Sequence, residues 1–225
     1  MTPAPYRSPY AMGRDIARRL LHDRRGIAVT EMAYCLPILL ALTLWLFEIT
    51  NYVIAKQQLG QLAIQVADNA SRMGTQNSVQ SEIDEGQVND LFIGAGLQSG
   101  SLDMARNGRI ILSSLETDPD SPNGQYIHWQ RCYGAYAYPS SYGVQGNGKG
   151  NTSVKGMGPA NARVTAPAIA PVMFVEIAYN YRPLITSAWV PSGPIKEIAS
   201  LLVRDSRDTS GAGIKPLAGT TAATC

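Results

Sequence analysis

The chain has few of the residues that most often build metal sites and hydrolytic centres. Only two histidines, His22 and His128, and three cysteines occur among its 225 residues. No cysteine stands at a metal-ligand spacing from another cysteine or from a histidine, so the sequence predicts neither a metal ion nor another cofactor. Because a catalytic triad or a metal-dependent active site has almost no material here, we expect the protein not to be an enzyme.

The charge is nearly balanced overall, at +2, but it is unevenly distributed. Residues 1–26 contain six arginines and two aspartates and carry +4, whereas residues 27–225 contain 13 basic and 15 acidic residues and carry −2. A basic stretch directly before an apolar run indicates a membrane protein whose N-terminal end is cytoplasmic. A nucleic-acid surface is disfavoured because the basic stretch ends at an apolar run, so we expect no nucleic-acid partner.

The apolar run extends from Ile27 to Phe47 and contains one charged residue, Glu31. At about 1.5 Å per residue, a helix of these 21 residues matches the roughly 30 Å hydrocarbon core of a lipid bilayer. We predict a transmembrane helix over residues 27–54, with Glu48 as a second acidic residue near its end. A cleaved secretory signal is the alternative, but its apolar region would be shorter, and no good cleavage site follows this run.

A basic pair and a glycine, Arg24, Arg25 and Gly26, stand directly before the apolar run. A glycine lowers helix stability, and the two arginines hold this point at the cytoplasmic face of the membrane. The peptide bond between Gly26 and Ile27 is therefore predicted to be accessible to a membrane-embedded protease.

This part of the chain resembles the start of TadE-like pseudopilins, which are minor, type IVb-related prepilins of Tad (Flp) pilus systems. The resemblance rests on the basic pair with Gly26, on Glu31 five residues later, on Pro37 within the apolar run and on Glu48 near its end. It is strongest over residues 24–60.

The resemblance implies a function and a set of partners. A prepilin peptidase would remove residues 1–26 and leave Ile27 as the new N-terminus. The chain would then act as a minor pseudopilin in pilus assembly, adhesion or secretion, with other minor pseudopilins, the major pilin and the inner-membrane assembly platform as its partners. The segment Val175–Leu184 also resembles the strand ending in Tyr-Arg-Pro of this family, whereas Met32 departs from the family's usual aromatic residue. A static, membrane-anchored periplasmic binding or scaffold protein is the alternative function.

Glu31 has an electrostatic role in a pilin-like protein. Cleavage frees an α-amino group on Ile27, and in a filament the carboxylate of Glu31 can neutralise that group on a neighbouring subunit. With an effective dielectric constant near 20, charges about 4 Å apart attract by roughly 4 kcal/mol. This exceeds the ~2.5–3.5 kcal/mol cost of a carboxylate in the bilayer. The alternative is that Glu31 reaches back to the cytoplasmic interface.

The helix is predicted to continue beyond the membrane. Apolar residues recur at spacings of three and four at Leu59, Leu62, Ala63, Val66, Ala70 and Met73. This pattern predicts one nearly continuous helix from Ile27 to Met73, with residues 55–73 as its periplasmic extension and Gly74 as its end. Pro37 removes one hydrogen bond within it and predicts a bend, although transmembrane helices also tolerate proline without a functional need.

Residues 74–225 are predicted to form a periplasmic α+β domain of pilin type. We expect a helix from Glu82 to about Gly94, with Ser81 as its N-cap. Four strand-like runs are expected to form one antiparallel sheet packed on the long helix: Arg109–Leu115, Tyr126–Tyr136, Val172–Tyr181 and Ile198–Arg204.

The remaining segments are predicted to be irregular. Residues 139–171 are rich in glycine and proline, and their stretch Gly143–Gly150 lacks the Ser or Thr of a phosphate-binding loop, which favours a mobile surface loop. Residues 206–224 are expected to be mobile unless Cys225 anchors them. Six aromatic residues favour packing on the sheet, with a sugar- or partner-binding surface as the alternative: Tyr126, Trp129, Tyr133, Tyr136, Tyr138 and Tyr142.

Two of the three cysteines lie beyond the apolar run. Cys35 is within that run, whereas Cys132 and Cys225 follow it. If this side of the membrane is the periplasm, disulfide chemistry is available there. We therefore predict a bond between Cys132 and Cys225, with an intermolecular bond or a free Cys225 as the alternatives.

Overall fold

The computed structural model describes residues 25–76, 80–121 and 123–225. The chain divides into two units, one ending at Glu48 and one beginning at Ile49. The predicted leader, including its basic residue Arg24, lies outside the described residues apart from Arg25 and Gly26.

Helix α1 runs from Arg25 to Arg72 without interruption. This confirms the prediction of one long helix. In the first unit its large apolar side chains are exposed on all sides: Ile27, Val29, Met32, Tyr34, Leu36, Ile38, Leu39, Leu40, Leu42, Leu44, Trp45, Leu46 and Phe47. A helix that is apolar all round is suited to a membrane or to the interior of a large protein.

In the second unit, α1 becomes amphipathic. One face is buried, through Ala55, Leu59, Leu62, Ala63, Val66, Ala67 and Ala70. Met73, the last residue of the predicted stripe, is half-buried against the same core. The helix ends at Arg72, and Gly74 has a φ of 136°, where a Cβ atom would lie 2.1 Å from the Ser81 hydroxyl oxygen. Glycine is therefore required at this turn, in agreement with its predicted role as the end of the helix.

Arg207 caps the C-terminal end of α1. Its guanidinium group donates to the carbonyl oxygens of Ala70 (3.2 Å), Ser71 (3.3 Å) and Met73 (2.5 Å). These carbonyls lack partners within the helix, and a cation also complements the negative end of the helix dipole. The cap is buried and connects the C-terminal part of the chain to the end of α1.

Helix α2 spans Glu85–Gln98, so the start predicted at Ser81–Glu82 is wrong by about one turn. The N-cap is Asp84, whose carboxylate accepts from the backbone N–H of Gln87 at 2.9 Å. The Gln87 side chain accepts in return from the backbone N–H of Asp84, which completes a capping box. Strand β2 contains Ser81–Glu82 and pairs with β1, Thr75–Gln76.

The main sheet is antiparallel and has the strand order β4-β3-β5-β6. Its strands are β3 Gly108–Thr117, β4 Gln125–Tyr133, β5 Val172–Tyr179 and β6 Ile195–Leu202. Every predicted strand boundary lies within three residues of the observed one, and the predicted α+β fold is confirmed. Smaller elements are α3 Met104–Asn107 and the 3₁₀ turns Gly100–Leu102 and Ser187–Trp189.

The two faces of the sheet belong to separate cores. Alternate residues of β5 face the core shared with α1 and α2, namely Met173, Val175, Ile177 and Tyr179. The opposite face packs Val172 and Phe174 against Met157 and Ala166 of the segment 139–171. This segment has no helix or strand, as predicted, but it covers one face of the sheet.

The C-terminal segment, residues 206–225, is bound along the domain. Its backbone hydrogen bonds run from N–H to carbonyl as follows: Ser81 to Ser206 (2.7 Å), Lys215 to Ile83 (2.8 Å), Glu85 to Lys215 (3.0 Å) and Cys132 to Ala223 (2.7 Å). The segment therefore pairs with β2, with the entry to α2 and with the outer edge of β4. The sequence predicted that this segment would be mobile unless Cys225 anchored it. Cys225 does anchor it, through a disulfide bond to Cys132.

Candidate functional site

The apolar part of α1 contains most of the residues that the sequence singles out. Glu31 is exposed and is the only charged residue of the apolar run. The hydroxyl groups of Thr30 and Thr43 donate to the carbonyl oxygens of Ile27 (2.8 Å) and Leu40 (2.9 Å). Because these hydroxyls are bonded within the helix, they do not need water as a partner, and the run is compatible with a lipid environment.

One helix in the described part of the chain is long and apolar enough to cross a membrane. It is the stretch Gly26–Arg72, and only 6% of its most apolar window is buried. The core helix of a soluble protein would be mostly buried, so its exposure separates this helix from that class. Length and composition alone do not distinguish it from a signal sequence.

Gly26 and Ile27 lie in the first turn of α1. A Cβ atom added to Gly26 would meet no atom within 4 Å, and Ile27 is half-exposed. A valine at position 26 therefore fits without a clash, so its effect on cleavage is separable from an effect on folding. Glu31 follows Ile27 by one helical turn.

Glu48 and Glu31, the two acidic residues assigned to the ends of the span, have different environments. Glu48 has a relative exposure of 0%, whereas Glu31 is exposed. Helix α1 continues through Pro37, and the bend predicted there stays a prediction.

Cys132 of β4 and Cys225 form a disulfide bond, the pairing that the sequence predicted. Their Cα atoms lie 4.9 Å apart, and 93 residues of sequence separate them. Cys35 is exposed on α1 and takes no part in the bond. The predicted bond within the chain is therefore confirmed, in place of an intermolecular bond or a free Cys225.

A buried ion pair joins α2 to β4. The Nε atom of Arg131 donates to both carboxylate oxygens of Glu85, at 3.1 and 3.0 Å, and its Nη2 atom bonds the same carboxylate. The Nη1 atom donates to the carbonyl of Gln130 (2.8 Å) and to Oε1 of Gln145 (3.2 Å). The side chains of Arg131 and Glu85 are only 10% and 8% exposed. Sequence reasoning missed this pair because its members are 46 residues apart and belong to no local motif.

A second polar cluster surrounds Glu116. Its carboxylate accepts from three groups: Nδ1 of His128 (2.9 Å), Oγ of Ser114 (2.7 Å) and the hydroxyl of Tyr126 (3.4 Å). The Nε2 atom of His128 lies 3.1 Å from the carbonyl oxygen of Gly211. Burial alone would lower the pKa of His128, but its hydrogen bonds to Glu116 and Gly211, together with the negative charge of Glu116, raise that pKa above its ordinary value.

The Glu116 cluster binds the C-terminal segment to the sheet. An imidazolium at His128 can donate from both ring nitrogens, one to Glu116 and one to Gly211. Ser114 bonds the carboxylate and not the imidazole, so the cluster lacks the contact between nucleophile and base that a serine hydrolase requires. Its geometry fits a structural role.

The six aromatic residues mostly pack within the domain. Trp129 and Tyr126 are buried. Ring contacts are formed by Tyr133 with Phe92 (centroids 5.8 Å apart), Tyr142 with Phe174 (5.3 Å) and Tyr136 with Tyr138 (6.1 Å). The residues therefore form no continuous exposed aromatic surface, which favours packing over the alternative of a sugar-binding face.

The glycine-rich stretch Gly143–Gly150 packs on the outer edge of β4. The backbone N–H of Ile127 donates to the carbonyl of Asn147 at 2.9 Å. At Gly148 a Cβ atom would lie 2.1 Å from the carbonyl oxygen of Gln125. The glycines thus allow close approach to a strand, and this bound loop differs from the mobile loop that the sequence predicted.

Within the described ranges, no group of three or more His, Cys, Asp or Glu side chains is arranged to hold a metal ion. Comparison of the chain with protein-family models, with curated proteins and with solved structures found no match. No relative therefore supplies a function, and the residues of α1 and of the disulfide are the basis for one.

Proposed function

We propose that this chain is a prepilin-like subunit of the inner membrane, a minor pseudopilin of a Tad-type pilus or secretion system. The observation that supports this most is the change of character along α1. One continuous helix is apolar on all sides up to Phe47 and then buries a single face against an antiparallel sheet. Such a helix serves both as a membrane anchor and as the spine of the domain that follows it.

The arrangement in the membrane follows from the two ends of the apolar run. The arginines of residues 1–26 favour a cytoplasmic N-terminus, because basic residues are retained on that side. The domain after the run then lies in the periplasm. The disulfide between Cys132 and Cys225 supports this side, because such bonds form and persist in oxidising compartments.

Glu31 is the residue through which we propose that the subunit joins others. A carboxylate in the bilayer costs ~2.5–3.5 kcal/mol, and an opposite charge about 4 Å away offsets this by roughly 4 kcal/mol at an effective dielectric constant of 20. The α-amino group of Ile27 on a neighbouring processed subunit provides such a charge. The partners are then the prepilin peptidase, the other minor pseudopilins, the major pilin and the inner-membrane assembly platform.

Replacing Glu31 tests this role. We expect Glu31→Ala and Glu31→Gln to be cut and inserted normally, yet to co-purify with other pilin subunits at least about tenfold less, as the loss of ~1.4 kcal/mol would give. Thr30→Val is the matched control, because it removes a neighbouring polar group whose hydrogen bond stays within the helix. Quantitative mass spectrometry of crosslinked membranes provides the measurement. Normal assembly of the Gln variant would contradict the proposed role of the carboxylate and favour the alternative in which Glu31 reaches back to the cytoplasmic interface.

A further inference from the structure

The β5–β6 loop, residues 180–194, begins beside α1. The side-chain amide of Asn51 donates to the hydroxyl of Tyr181 at 2.6 Å. The rings of Tyr52 and Tyr181 meet edge to face, with centroids 5.3 Å apart and an interplanar angle of 85°. Asn51 and Tyr52 are the fourth and fifth residues after the apolar run ends. The start of the loop is therefore fixed to the helix within about two turns of that end.

Apolar side chains are exposed in the loop and on the adjoining turn of α1. Leu184 is 71% exposed and Ile185 is 43% exposed. On the helix, Val53 and Ile54 are 44% and 47% exposed. Leu184 and Ile185 follow Tyr181 by three and four residues, and Val53 and Ile54 follow Tyr52 directly, so these four exposed side chains of the second unit adjoin the contact between the loop and α1 along the chain. Where exposed apolar side chains adjoin one another, they form the kind of surface that contacts a membrane or a partner.

The residues around Leu184 are those that favour the boundary between lipid and water. Tyr52 and Tyr181 form an aromatic pair at the start of the loop, and Trp189 is half-buried near its end. Aromatic rings of this amphipathic type concentrate at membrane–water interfaces. Arg182 is exposed next to Tyr181 and can interact with anionic headgroups.

We propose that the β5–β6 loop is a second lipid contact, in which Leu184 and Ile185 enter the headgroup region of the outer leaflet of the bilayer that α1 crosses. This inference rests on the proposed membrane span. If α1 crosses the bilayer, lipid lies next to the helix turn that contacts the loop. The effective concentration of lipid at the loop is then high, which makes lipid the occupant that we propose for this surface.

Site-directed spin labelling of the full chain tests the contact. The native exposed cysteine is first removed with Cys35→Ala. Labels are then attached at Leu184→Cys in the loop, at Leu40→Cys in the span and at Ile169→Cys, an apolar control site that is 93% exposed. The protein is placed in bilayers of phosphatidylethanolamine and phosphatidylglycerol, and the access of oxygen and of a water-soluble nickel chelate to each label is measured.

We expect the labels at Leu184→Cys and Leu40→Cys to lose access to the nickel chelate and to gain access to oxygen, while the label at Ile169→Cys stays open to the chelate. If the label at Leu184→Cys is as open as that at Ile169→Cys while Leu40→Cys is protected, the loop contact is wrong and the span stands. If Leu40→Cys is also open, the span fails and the inference fails with it. Dipolar broadening at Leu184→Cys would show that a second copy of the chain covers the loop, and this too would overturn a lipid contact.

Discussion

Replacing Cys225 with serine is expected to lower the free energy of unfolding by about 4–5 kcal/mol, because the disulfide closes a loop across a sequence separation of 93 residues. In the chain-entropy model such a bond acts mainly by restricting the unfolded state. Domains of this size have net stabilities of about 5–15 kcal/mol, so the loss would be a large share of the total. The measurement is urea unfolding of the oxidised full-length protein in detergent, followed by tryptophan fluorescence.

Three further variants make the disulfide experiment specific. Cys132→Ser and the double variant Cys132→Ser/Cys225→Ser are expected to match Cys225→Ser, because all three remove the same bond. Cys35→Ser should leave the unfolding midpoint unchanged, since Cys35 is exposed and outside the bond. Unchanged stability in the Cys225→Ser variant would mean that the backbone hydrogen bonds of residues 206–225 hold this segment without the disulfide.

The Glu85→Leu variant is expected to lose about 3–5 kcal/mol of stability, because it leaves the guanidinium of Arg131 buried without its carboxylate. The groups that remain within hydrogen-bonding distance of Arg131 are the carbonyl of Gln130 and the side-chain amide of Gln145, and both contact Nη1 alone. The Nε and Nη2 atoms would then lose the acceptor that they share. The same unfolding measurement determines the loss.

A double variant distinguishes a lost charge partner from lost packing. Glu85→Leu/Arg131→Met should be more stable than Glu85→Leu alone, because replacing both charges leaves none of them buried and unpaired. Asp68→Asn provides an exposed comparison: its ion pair with Arg72 has side-chain exposures of 69% for Arg72 and 39% for Asp68, and its loss should cost under about 1 kcal/mol. A Glu85→Leu effect as small as that of Asp68→Asn would refute the importance of the buried pair.

The sequence was most informative where local patterns decide the structure. The apolar run and the stripe from Leu59 to Met73 have the periodicity of one helix, and α1 follows that pattern from Arg25 to Arg72. The strands were found because short apolar runs alternate with turn residues. Strand β4 ends at Tyr133, before its predicted end, because Gly134 turns the chain at a φ of 97°.

Sequence reasoning failed where distant segments decide the structure. Ser81 has the residue type of a helix N-cap, but its backbone pairs with Ser206 and Asp208, 125 residues or more along the chain. These bonds hold Ser81 in a strand, and the cap moves to Asp84. The same limit applies to the partners of Arg131 and His128, since a single sequence does not show which distant carboxylate meets which base.

The N-terminal residue of the membrane-bound protein tests the central proposal most directly. In cells with an active prepilin peptidase, we expect mass spectrometry to find a chain that begins at Ile27 and lacks residues 1–26. The Gly26→Val variant should still insert in the membrane, because a Cβ atom at position 26 would meet no atom within 4 Å. It should nevertheless remain uncut. An intact leader on the wild-type protein in the same cells would contradict the proposed prepilin processing and favour a static membrane anchor.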